Sequence, residues 1–119
     1  MTLTIRELLI AVDSGALKRL AAQPIPAMGA WRLHRILRLL GAEYDPANAA
    51  RLSLITESNS VPVNGGQGRM VKPECIAAFE ADPLFAQTVT IDAEPIAVAM
   101  LDGSTISASD MELIAPLLQ

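Results

Sequence analysis

Arg32, Arg35 and Arg38, with His34 among them and Trp31 just ahead, form the densest group of chemically capable side chains in the sequence. On a helix, three-residue spacing keeps the guanidinium groups roughly on one side, and such planar forks grip phosphates or carboxylates in paired contacts. Trp31 adds a large, stiff apolar ring of the kind that anchors interfaces. The same ring serves equally well as a core plug, and its exposure decides between the two roles. The plainer account of the arginines is the solvated face of an amphipathic helix, where basic and apolar residues ordinarily alternate.

The remaining candidates are weaker. Asn64-Gly65-Gly66-Gln67-Gly68-Arg69 invites a phosphate-loop reading, because consecutive glycines let backbone N–H groups converge on an anion. It lacks the lysine and hydroxyl residue of a P-loop, and no strong helix follows at once, so a hairpin tip is the better reading. His34 is the only histidine, and no Gly-x-Ser-x-Gly nucleophile elbow is present. Cys75, the only cysteine, has no imidazole near it in sequence and reads as a small hydrophobe on a short helix. Asp92 and Glu94 stand two apart and Asp102 opens only an Asp-Gly-Ser turn, neither of which is a calcium loop. The sequence therefore argues against an enzyme, and no metal, cofactor or small-molecule substrate is expected. The residues expected to touch a partner are Trp31, Arg32, Arg35 and Arg38.

Charge divides unevenly along the chain. Residues 1–51 hold seven basic and four acidic side chains, and residues 52–119 hold two basic and nine acidic. The net charge of −4 thus hides a first half near +3 and a second half near −7. Such asymmetry predicts a dipole that favours head-to-tail self-association or docking onto a partner of matching polarity. The overall acidity, with a pI near 4.8, and the lack of a helix-turn-helix, a zinc finger or an aromatic platform beside the arginines argue against nucleic acid.

At 119 residues the chain suits one domain. Its 51% apolar content with only four aromatic residues requires a core of Ala, Leu, Ile, Val and Met, and implies more apolar surface than one small core covers. One cysteine excludes an intramolecular disulfide, which points to a cytosolic setting. No apolar run approaches the roughly 18–20 residues that span a bilayer, so neither membrane segment nor signal peptide is expected.

The elements that must position these residues follow from local patterns. Thr4 with Glu7 has capping-box spacing ahead of Ile5, Leu8, Leu9 and Val12 at helical intervals. A short helical turn follows over 16–22, and Pro24 and Pro26 make a corner. From Pro26 the principal helix carries Leu33, Ile36, Leu37, Leu40 and Tyr44 as its apolar stripe. Asp45-Pro46 is expected to break it, with a second helix over 47–56. Val61–Val63 and Arg69–Val71 read as a hairpin, its first strand confined to an edge by Pro62. Residues 73–81 form a short helix with Ile76 and Phe79 inward. Thr88–Asp92 and Ile96–Leu101 read as an antiparallel pair, and Ser107 with Asp110 caps a closing helix carrying Met111 and Ile114. The expected fold class is α+β: N-terminal helices over 1–57, then over 58–119 a small antiparallel sheet with one inserted helix and a C-terminal helix.

The order of these pieces resembles that of short proteins encoded by tailed bacteriophages and prophages. The likeness runs through TLTIRELL, PIPAMGAWRLHRILRLL, ARLSLITE, FEADPLFAQTVTID, PIAVAMLD and ISASDMELIAPLL. The chain departs from that group at Asp45-Pro46, where the others run on as one charged helix. The resemblance implies a phage protein with no catalytic residues to carry over, located in the host cytoplasm or incorporated in the virion. The expected function is accordingly non-enzymatic protein–protein contact in a virion or assembly complex, through self-association or other phage proteins. An acidic inhibitor of a host defence system or host enzyme is the alternative from a different class, and a nucleic-acid accessory protein is the minor one.

Overall fold

The computed structural model describes residues 1–119 and shows an α+β protein built around one long helix. The chain opens with β1 (Thr2–Thr4) and α1 (Ile5–Asp13). The Thr4–Glu7 capping box forms in both directions, Glu7 N–H donating to Thr4 Oγ1 at 3.1 Å and Thr4 N–H to Glu7 Oε1 at 2.9 Å. Gly15, at φ +73°, takes the left-handed turn into α2 (Ala16–Ala21). After the proline corner, α3 (Ala27–Ser53) runs without interruption.

That continuity corrects the expected break at Asp45-Pro46. Pro46 removes the donor that would bond the Ala42 carbonyl. The helix is nonetheless tied down on both sides of it by one residue of α1: Tyr44 Oη donates to Asp13 Oδ1 at 2.6 Å, and Arg51 Nη1 donates to Asp13 Oδ2 at 2.8 Å. The bond to Asp13 raises the Tyr44 pKa above the ordinary tyrosine value, because ionising the phenol would break it. Buried Leu40 and Ala47 bracket the proline from the core side. Tertiary fixing outweighs the local breaker.

Two small antiparallel sheets replace the single one expected. β2 (Ser60–Val63) and β3 (Gly68–Val71) form the expected hairpin, with Val61 opposite Met70 and Pro62 opposite Arg69. Its tip takes positive φ at Asn64, Gly65 and Gly66. A 3-10 turn at Pro73–Cys75 leads into α4 (Ile76–Glu80). Phe79 packs toward the core, with its ring centroid 5.6 Å from that of Phe85, but Ile76 is exposed rather than inward.

β4 (Thr88–Thr90) pairs with β1 at the other end of the sequence, Leu3 facing Val89. The expected partner segment, 96–101, is not a strand. Ile96 makes an isolated parallel bridge to Leu118, and Val98–Leu101 is a 3-10 turn laid on α3. Gly29 permits that approach, since a Cβ there would lie 2.1 Å from the Met100 carbonyl oxygen. α5 (Ala108–Ile114) closes the chain on its expected cap, Ser107 Oγ accepting from Asp110 N–H at 3.1 Å.

The buried apolar side chains form one cluster drawn from β1, α1, α2, the inner stripe of α3, and segments 85–101 and 114–117. No residue from 55 to 78 belongs to it or packs against it. The molecule measures 49 × 28 × 22 Å with a radius of gyration of 16.3 Å, against about 13.5 Å for a compact chain of this length. An arm carrying the β2–β3 hairpin thus extends beyond a compact body. No helix is long and apolar enough to cross a membrane.

Candidate functional site

The core stripe of α3, containing Leu33, Ile36 and Leu40, fixes which side of the helix faces water. At 100° per residue, Trp31, His34, Arg35 and Arg38 fall on the side opposite that stripe. Trp31 is 60% exposed, which rules out its role as a core plug. The Arg35 guanidinium lies over the indole, 5.9 Å from the ring centroid, within the range of a cation–π contact. Trp31, His34, Arg35 and Arg38 line one shallow depression of about 350 Å³.

Arg32 points elsewhere. Its Nη1 is 3.7 Å from Glu94 Oε2, and Arg35 Nη2 is 3.7 Å from Asp92 Oδ2. These pairs cross an open trough of about 710 Å³, with Trp31, Arg32 and Arg35 on the α3 wall and Asp92, Ala93 and Glu94 on the other. The Asp92 and Glu94 side chains are almost entirely exposed. At that length and exposure an ion pair is worth about 0–1 kcal/mol, so either arginine is free to exchange its carboxylate for another. Arg38 makes no ion pair.

Of the four residues expected at the site, the structure thus groups Trp31, Arg35 and Arg38, adds His34, and turns Arg32 toward Glu94. The acidic wall was missed in the sequence reading. Its signal was present in the charge division, because Asp92 and Glu94 belong to the acidic half and the arginines to the basic half.

That division is partly spent within the molecule. Three of the four ion pairs, Arg19–Asp110, Arg32–Glu94 and Arg35–Asp92, join the basic half to the acidic half. In the tightest, Arg19 donates to both Asp110 oxygens at 2.7 and 3.0 Å. These bonds hold the Asp110 carboxyl below its ordinary pKa and raise that of Arg19, with desolvation opposing in both cases. The Asp110 carboxylate therefore serves Arg19 rather than completing a capping box at Ser107.

The other candidates stay apart from this face. The Asn64–Gly68 loop leads into strand β3, so no helix N-terminus stands behind it to hold an anion. Cys75 lies half-buried in the turn before α4. No three His, Cys, Asp or Glu side chains gather closely enough to hold a metal ion. No family model, curated protein or solved structure matches the chain. The chemistry of the α3 face is accordingly what its own residues offer: cationic forks around an exposed indole, suited to a surface that presents carboxylates beside an apolar socket.

Proposed function

We propose that this protein acts by protein–protein contact, without catalysis, through the Trp31–Arg35–Arg38 face of α3, as a repeated part of a phage virion or assembly complex. The observation that supports the contact surface is the exposure of Trp31 on the side of α3 away from the core, with a guanidinium already stacked on its ring. A large apolar side chain left in water at the centre of a cationic patch gains most from burial against a partner. The phage setting rests on the whole-chain resemblance of residue patterns. The partner surface is acidic, and the second half of a neighbouring copy offers one, since Asp102 and Glu112 are exposed and make no ion pair. A contact between unlike surfaces of successive copies builds rings or arrays.

Trp31 is the only tryptophan, so its fluorescence reports this contact directly. The test is light scattering and tryptophan emission recorded together as protein concentration is raised, at low and high salt. Assembly that shifts the emission to shorter wavelength, weakens in salt and is lost in Trp31→Ala and in Arg35→Glu/Arg38→Glu is the expected result. Assembly with unshifted emission, or persisting in both variants, rejects this surface.

A further inference from the structure

The two edges of the β2–β3 hairpin are not alike. Lys72 N–H donates to the Asn59 carbonyl at 2.8 Å, which fixes the alternation of the ladder. Asn59/Lys72, Val61/Met70 and Val63/Gly68 are then the hydrogen-bonded pairs. Ser60 and Pro62 on one strand, and Arg69 and Val71 on the other, direct their backbone groups outward.

The β2 edge is closed. Pro62 has no N–H to offer, and the Ser60 carbonyl already accepts from Arg69 Nη2 at 3.0 Å, while Arg69 Nε bonds Ser60 Oγ at 2.7 Å. Proline and charge are the usual devices that stop an edge strand from recruiting another. The β3 edge has neither, because the charged side chains that could guard it are drawn across the hairpin, Arg69 to Ser60 and Lys72, just past the strand, to the Ser58 carbonyl at 3.1 Å. No bond outside the ladder reaches the outward groups of Arg69 or Val71. On the hairpin face opposite Ser60 and Arg69, Val61 and Met70 stand side by side in solvent, Met70 54% exposed.

We infer that β3 pairs antiparallel with β3 of a second copy, about a two-fold axis at Met70. In that register Arg69 of each copy faces Val71 of the other as a hydrogen-bonded pair, so all outward groups of both residues find partners at once. Self-complementarity of this kind fits a second copy, as the two-fold axis requires. It keeps both Val61–Met70 rows on one face of a continuous β2–β3–β3–β2 sheet. Two-stranded ribbons without tertiary packing are marginal in water, and the added strands supply what the body does not.

Cysteine crosslinking in a Cys75→Ser background tests the axis. Met70 lies opposite itself in a non-hydrogen-bonded pair, where Cα atoms are about 4.5 Å apart, within disulfide range. Met70→Cys is expected to form a covalent dimer under copper-catalysed air oxidation, and Val61→Cys, separated from its copy by two intervening strands, is not. Val71→Pro places a second proline at an outward position that the β2–β3 ladder does not use, and is expected to weaken dimerisation at least tenfold in sedimentation with the circular dichroism unchanged. A chain that stays monomeric up to millimolar concentration overturns the inference, as does a dimer that Met70→Cys fails to crosslink or that Val61→Cys crosslinks equally well. Tryptophan emission should not change on this dimerisation, which separates the result from that for the α3 face.

Discussion

The body and the arm are held together by different means. The body, residues 1–54 and 79–119, encloses every buried apolar side chain, and its elements meet across long sequence separations, as β1 does with β4 and Arg19 with Asp110. The arm, residues 55–78, buries only Ser60 and is shaped by a hydrogen-bonded ladder, turns of positive φ and one arginine folded across its hairpin. Burial of aliphatic surface stabilises the first, whereas local backbone chemistry shapes the second. The two regions also differ in what they leave exposed. The body presents the α3 face with Trp31 in solvent, and the arm presents an edge strand that lacks neighbours.

The largest expected effect sharpens this contrast directly. Leu40→Ala, a fully buried truncation on α3, should cost about 2–5 kcal/mol in denaturant unfolding. Ile76→Ala, in the exposed arm, should stay within about 0.5 kcal/mol. Equal losses at the two sites would break the division.

Two glycines of α3 extend it to opposite signs. Gly29→Ala drives a methyl group into the Met100 carbonyl and should cost about 1–3 kcal/mol. Gly41→Ala meets nothing within 4 Å and should gain about 0.5–1 kcal/mol by helix propensity. Thermal melts of the pair check both.

A smaller loss, of about 1 kcal/mol, is expected for Asp13→Ala, which frees Tyr44 and Arg51 on either side of Pro46. A drop in helical circular dichroism should accompany it.

Smallest is the Arg19–Asp110 pair. The Asp110 pKa is lower folded than unfolded, so the stability it adds is present above the ordinary aspartate value of about 3.9 and is lost as pH falls through the folded value. The advantage of the wild type over Asp110→Asn should therefore be full at neutral pH and shrink as the pH falls below the ordinary aspartate value in urea titrations.

Legibility in the sequence follows the same division. The α1 cap, the hairpin and the Ser107 cap were readable because each is decided by residues within a few positions of one another. The uninterrupted α3 was not, because the clamp that overrides Pro46 comes from Asp13. The partner of β4 was not, because Thr2-Leu3-Thr4 is too short to stand out as a strand beside the helix it precedes. The α3 face was half legible: spacing revealed the arginines, but only the fold shows that Trp31 faces solvent and that Arg32 turns to Glu94.

Native-state hydrogen exchange on the monomer at low concentration measures the division most directly. Buried α3 amides such as those of Leu33, Ile36 and Leu40 should exchange only through global unfolding, while the ladder amides of Val61 and Met70 exchange through local opening of much lower free energy. A single exchange free energy shared by α3 and the hairpin would contradict the account.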